Sequence, residues 1–262
     1  MRKRAGFGSI VLAATLLAVL GVCAAQQPTP GTVVEGASAP AVDPQAIAAL
    51  DKMGAFLRTL KAFEVRSDTT KDEVLDTGQK IQFDSRVDLR VRRPDRLRAD
   101  VSSSRKQRQF FYDGKTFTMY GQRVKYYASV PAPATIRELV KVADERYGLE
   151  LPLADLFFWG TDQARLDDIK AAMVVGSARI GEVVCDHYAF RQDGVDWQIW
   201  IQSGKAPLPR KLVITTTADE AQPQYVALLT WNLSPKLDDK VFTFVPPKDA
   251  NPIVVRTPDA QN

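Results

Sequence analysis

Residues 183–231 constrain this chain more than any other stretch. Four runs rich in Val, Ile, Thr and aromatic residues are separated by Asp193-Gly194, by 203–209 and by 218–223. Short runs of this composition between turn-forming residues predict an antiparallel meander. With Asp193-Gly194 in a two-residue type I′ turn, residues equidistant from it face each other. Phe190 then opposes Trp197 and Tyr188 opposes Ile199 on one face, while His187 opposes Trp200 and Ala189 opposes Gln198 on the other. The following runs, 212–217 and 225–231, are apolar on both faces. A sheet of that kind must be covered on at least one side.

The rest of the chain supplies the cover. Asp43 precedes Pro44, and Ile47, Leu50, Met53, Leu57 and Leu60 recur at helical spacing, which predicts an amphipathic helix over 44–60. From Phe63 the period changes to two. Phe63 and Val65 open one strand; Ile81, Phe83, Val87, Leu89 and Val91 alternate along a second; Leu97, Ala99 and Val101 continue. A second hairpin is expected around Asp113-Gly114, with Phe110, Tyr112, Phe117 and Met119 on one face and Phe111, Thr116, Thr118 and Tyr120 on the other. Strand 124–130 ends at Pro131. Thr135 to Glu138 reads as a capping box opening a helix that stops at Gly148. A short helix over 153–159 is apolar nearly all round, through Leu153, Leu156, Phe157, Phe158 and Trp159, and is either buried or a lid over something apolar. After strand 173–179 and the meander, the alternating run Val241 to Pro247 is expected to close the sheet.

Arg2, Lys3 and Arg4 followed by an apolar run over 10–22 and by Ala24-Ala25 read as a secretory leader, residues 1–25. The run is short for a membrane span. Leu20-Gly21-Val22-Cys23 also reads as a lipobox, with Val22 where a small residue is usual. The full chain carries a formal charge of +4; without the leader's three basic residues the remainder is near neutral. That argues against nucleic acid as a partner, which needs a concentrated positive field. Residues 26–42, rich in Pro, Gly, Ala and Ser, read as a flexible linker, 43–250 as one domain, and 251–262 as a Pro-rich tail.

No catalytic, cofactor or metal motif is present. Cys185 and His187 offer two ligands where a structural zinc takes four, and side chains two apart on a strand run parallel instead of converging. Packing of His187 on Trp200 accounts for them. The basic run at 105–108, with Arg86, Arg90, Arg92, Arg93, Arg96 and Arg98, reads as a solvated outer face or as a contact for anionic headgroups at a membrane surface.

The runs RRPDRLRAD, QFFYDGKTFTMY, YYASVPAPATI, LPLADLFFWG, CDHYAFRQ, GVDWQIWI, LPRKLVITTT and FTFVPP resemble an uncharacterised family of predicted bacterial periplasmic proteins. That family is similar in fold to the lipoprotein carrier LolA and its receptor LolB. The resemblance implies a mainly β, α+β fold: an antiparallel curled sheet of about eleven strands, a half-barrel whose concave face is covered by helices and holds acyl chains. It implies no individual functional residue.

Two roles follow. The first is a non-enzymatic periplasmic carrier of a lipid or of an acylated lipoprotein. Its groove would be formed by Phe110, Tyr112, Phe117, Met119, Tyr188, Phe190, Trp197 and Ile199, with Phe157, Phe158 and Trp159 as lid. Those aromatics are also what an ordinary core under the helices would contain. The second role is an envelope protein-interaction or stress-sensing module using the same concave face.

Overall fold

The computed structural model describes residues 41–161, 164 and 166–255. The leader and nearly all of the linker lie outside them, as does the tail from residue 256 onward. The described residues form one open twelve-stranded sheet. Helix α1 (Pro44–Thr59) comes first and is followed by six strands: β1 (Ala62–Val74), β2 (Lys80–Arg92), β3 (Arg96–Ser103), β4 (Gln107–Tyr112), β5 (Thr116–Gly121) and β6 (Tyr126–Pro131). Helix α2 (Ile136–Tyr147) and a short 3-10 turn (Ala154–Phe157) lead to β7 (Ala171–Ile180), β8 (Val183–Gln192), β9 (Val195–Gln202), β10 (Pro209–Thr216) and β11 (Gln224–Asn232). A two-residue β12 (Asn251–Pro252) is the last described element.

In space the order is β12-β6-β5-β4-β3-β2-β1-β11-β10-β9-β8-β7. Two antiparallel meanders, one from each half of the sequence, are joined where β1 pairs with β11. Among the described strands only β12 runs parallel to its neighbour, β6.

Both helices start where local chemistry fixes them. The Asp43 carboxylate accepts from the Gln45 N–H at 2.8 Å, and Pro44 occupies the first turn, where no N–H is missed. Thr135 and Glu138 cap α2 reciprocally, and Gly148 ends it in the left-handed conformation. The apolar stripe of α1, Ala46, Leu50, Met53 and Leu57, is buried against one face of the sheet in a single core with Phe63, Leu89, Tyr112, Phe190 and Ile199.

The first hairpin pairs as its spacing requires. Phe190 faces Trp197, Tyr188 faces Ile199 and His187 faces Trp200. Only Gly194 has positive φ, +71°, so the turn is not type I′, although the two-residue loop and the register are as expected. The second hairpin differs by one step. Tyr112 pairs with Phe117 and Phe110 with Met119, which puts the turn at Gly114-Lys115. The Asp113 carboxylate accepts from the Lys115 and Thr116 N–H groups, holding the loop one residue later than the sequence places it. Because that displacement changes the pairing by two residues, the division between faces is unchanged.

The expected closing strand at 241–247 is absent. Asp238 caps a 3-10 turn (Asp239–Val241) by accepting from the Val241 N–H, and the chain then crosses the outer face. Phe242 is fully buried there, and Phe244 sits in a cage of Phe111, Tyr120 and Tyr127, with centroids 5.2, 5.5 and 5.1 Å away. Alternation arose here because two anchors two residues apart need the same period as a strand. Asn251 and Pro252, at the start of the expected tail, belong to the sheet.

The arginine-rich strands form a charge ladder on the outer face. Arg86 pairs with Asp68 at 2.7 Å, Arg66 with Asp88 at 2.8 Å, and Arg90 and Arg98 converge on Asp100 at 2.7 and 3.0 Å. Most of this positive charge is therefore compensated within the sheet, as the solvated-face reading requires.

Candidate functional site

The described residues between α2 and β7 rise over the inner face as a flap. The turn Ala154–Phe157 sends Leu156 and Phe157 into the core, while Phe158 and Trp159 are half-buried. Two features pin this flap to α1. Arg58 donates from Nη1 to the Trp159 carbonyl at 3.4 Å and makes a closer hydrogen bond to the Gly160 carbonyl. At Gly54 the two backbones touch so closely that an added Cβ would lie 2.5 Å from the Gly160 nitrogen.

Between the flap and strands β9 and β10 lies a cavity of about 680 Å³. Its sheet wall is Trp197, Leu212 and Ile214; its flap wall includes Phe158, Trp159, Leu166 and Ile169. Inward alternation on β9 and β10 sets the first wall. Trp197 is held on both sides. Phe190 stacks on it at 4.1 Å and 16°, and Trp159 meets it at 5.7 Å and 50°. Its indole N–H donates to the Gln192 side-chain oxygen at 2.9 Å, so the ring presents hydrocarbon to the cavity without an unsatisfied donor.

Of the aromatic set expected to form a groove, Trp197 alone lines this cavity. Phe110, Phe117, Phe190 and Ile199 are buried in the core, with Phe110 and Phe117 stacked at 6.2 Å. Tyr112 is fully buried, its hydroxyl donates to the Pro133 carbonyl at 2.5 Å, and burial pushes its pKa up to about 12. Met119 and Tyr188 are half-buried against the same core. Of the expected lid, Phe158 and Trp159 line the cavity and Phe157 lies beneath it in the core. Leu212, Ile214 and Ile169 were not singled out in the sequence, although for Leu212 and Ile214 the apolar character on both faces of β10 was the available signal.

Asp155 also lines the cavity. Its side chain is open to the solvent there yet surrounded by protein, and burial, followed by the nearby Glu150, raises its pKa. The difference between accessible and buried reflects position: a group at the bottom of an open cavity touches water while most of its surroundings are protein.

Cys185 and His187 lie on the opposite face, in a small cluster with Trp200 and Val213. The His187 ring stacks on Trp200 at 3.9 Å and its Nε2 shares a hydrogen bond with the Gln198 side chain at 3.0 Å. Burial first, then Lys211, lower its pKa, against an opposing contribution from Gln198. A lowered histidine pKa in the fold means the unfolded chain binds the proton more readily. Its contribution to stability is therefore complete above the unfolded value of about 6.5 and is lost as pH falls through the window below it. Urea unfolding at pH 7.5 and pH 5.5 is expected to show a larger loss in the native chain than in His187→Gln; equal losses would show that this ring does not titrate differently on folding.

Among the described residues no helix is long and apolar enough to cross a membrane. No curated protein matches the sequence. Solved structures with a similar course of the chain include the Mycobacterium tuberculosis lipoprotein LppX, 11% identical over 75% of this chain and 100% of its own, with a TM-score of 0.48. LprF from Mycobacterium bovis is 14% identical over 81% and 100%, with a TM-score of 0.42. A LolA superfamily protein from Nitrosomonas europaea is 11% identical over 76% and 97%, with a TM-score of 0.35. The model of a family described as predicted periplasmic protein (DUF2092) matches residues 46–256, and the chain belongs to that family.

Proposed function

We propose that this protein is a non-enzymatic periplasmic carrier that holds the apolar tail of a lipid, or of an acylated protein, in the cavity between flap and sheet. The observation that carries this reading is the cavity itself: about 680 Å³, within the range of roughly 300–1,000 Å³ usual for small-molecule sites, and walled by Trp197, Leu212, Ile214, Phe158 and Trp159. Transfer of a tail from water contributes about 0.8 kcal/mol per methylene. Ten methylenes give on the order of 8 kcal/mol before the cost of ordering the chain, enough for retention without polar contacts. The flap supplies the facing wall, seated on the core through Leu156 and Phe157 and held to α1 at Gly54 and Arg58.

Native mass spectrometry and organic extraction of the protein purified from a periplasm without detergent test this directly. The expected result is a stoichiometric lipid adduct in the native chain, with occupancy at least about tenfold lower in Ile214→Asp, where a charge is placed on the apolar wall, at unchanged circular dichroism. A bare protein mass, with no uptake of added amphiphile, would overturn the carrier and leave a partner-binding module with a self-filled core.

A further inference from the structure

Six arginines crowd residues 86–98, and five of them have a carboxylate. Arg86 pairs with Asp68, Arg90 and Arg98 with Asp100, Arg92 with Asp239 and Arg96 with Asp95. Arg93 has none among the described residues, and its buried Nε makes no hydrogen bond there. It also turns the other way. Val87, Leu89 and Val91 are buried on the inner face, and the same alternation carries Arg93 to that side. Its guanidinium lies 5.4 Å from the centroid of Phe157, a core ring.

Backbone hydrogen bonds fix Arg93 at the rim of that face. Its N–H donates to the Lys61 carbonyl at 2.8 Å, and the Ile136 N–H donates to the Pro94 carbonyl at 2.9 Å, which seats the start of α2 beside it. The charge that acts on Arg93 across this junction is another cation, Arg137, in the first turn of α2. Arg137 is exposed, with no carboxylate partner among the described residues. The acidic groups nearby are engaged: Asp95 with Arg96 at 2.8 Å, and Glu138 with the Thr135 N–H and hydroxyl at 3.1 and 3.0 Å. Two guanidinium groups held together in partly desolvated surroundings repel unless an anion joins them. Because the Nε edge of Arg93 is sealed, its terminal nitrogens are the edge that a ligand reaches. A carboxylate fills one such fork, whereas a phosphate has oxygens enough to bridge two. The start of α2 adds positive potential at the same place.

We propose that Arg93 and Arg137 form a binding site for a phosphate group, carried by a lipid head or free in solution, at the junction of β2 and α2. Neither residue lines the cavity between flap and sheet, so the site stands whatever that cavity holds.

The test begins with thermal melts of the protein purified from a periplasm and dialysed free of phosphate. They are run at neutral pH in sodium chloride and in sodium phosphate of the same ionic strength, so that screening is equal. Tm is expected to be about 2–4 °C higher in phosphate, the rise that a ligand at about five times its Kd gives a domain of this size. Arg137→Gln, at an exposed position, is expected to melt as the native chain does in chloride and to gain less than about 1 °C in phosphate, as a tenfold loss of affinity gives. Arg93→Met is expected to lose the gain too, with a Tm in chloride no lower than the native one, since an unpaired charge leaves an apolar setting. Sedimentation with phosphatidylglycerol vesicles separates the two sources. Vesicle binding that falls at least about fivefold in Arg137→Gln, with no gain in inorganic phosphate, assigns the site to a lipid head. The gain without vesicle binding assigns it to a soluble phosphate. Equal Tm in both salts, with vesicle binding absent or undiminished in Arg137→Gln, would overturn the site, as would a gain of the same size in the native chain and both variants.

Discussion

Phe157→Ala is expected to destabilise the protein by about 3–5 kcal/mol, the range for removing a large aromatic ring from a packed core. The ring is 2% exposed and belongs to the main core cluster, so the flap rests on it and is not merely tethered by its ends. The Arg93 guanidinium lies 5.4 Å from the ring centroid, and its Nε, buried, makes no hydrogen bond among the described residues. Burial, then the neighbouring Arg137, lowers the Arg93 pKa, so this cation is held in place by packing more than by charge. Removing the ring therefore leaves a void and a poorly solvated cation together. Urea unfolding followed by tryptophan fluorescence measures the effect; a loss below about 1 kcal/mol would place Phe157 outside the cooperative core.

Gly54→Val is expected to release the flap, at a cost of about 2–3 kcal/mol. Two effects oppose each other at this site. A glycine inside a helix costs about 1 kcal/mol relative to alanine, so any side chain gains in local propensity. Against that, a Cβ would stand 2.5 Å from the Gly160 nitrogen and 2.7 Å from the Trp159 carbonyl carbon. Those are backbone atoms, which cannot rotate away, so repulsion exceeds the propensity gain. The helix and flap must separate, and the Arg58 hydrogen bonds to the Trp159 and Gly160 carbonyls are lost with them. Chymotrypsin cleavage after Phe158 or Trp159 is expected to accelerate at least about tenfold, since a separation of about 1.4 kcal/mol already changes the open population by that factor. Unchanged cleavage and stability would show that the close approach at Gly54 does not hold the flap.

Much of the fold was legible because β structure advertises its period. Inward alternation gave the faces of β2, β8 and β9, and a face assignment survives any error of two in register, as the hairpin at Gly114-Lys115 shows. The length of β1 was not legible. Beyond Val65 its inward residues are Ser67 and Thr69, which look like loop in a sequence but are buried in the sheet. The run at Val241 misled for the opposite reason, since Phe242 and Phe244 are spaced like a strand but serve as plugs on the outer face. The candidate site was legible only in kind. Sequence shows that Phe110, Phe117 and Phe190 point inward but not which inward residues the helices cover. That depends on where the helices and the flap lie: Phe110, Phe117 and Phe190 are buried in one core with the stripe of α1, whereas Trp197 lines the cavity with Leu212 and Ile214.

The joining of the two meanders at β1 and β11 has a consequence for how the chain acquires its structure. Strands β1 to β6 each pair with the next in sequence and can zip up as they emerge, and so can β7 to β11. The seam is different: Arg66 meets Thr230, partners from opposite ends of the domain. Until β11 arrives, β1 offers an unpaired edge of thirteen residues, and α1 lacks Phe190 and Ile199 from its core. A nascent molecule therefore passes through a stage in which one long edge is open to any other strand. Chains truncated before residue 224 never leave that stage, which makes the last long strand the point at which an aggregation-prone intermediate becomes a closed domain.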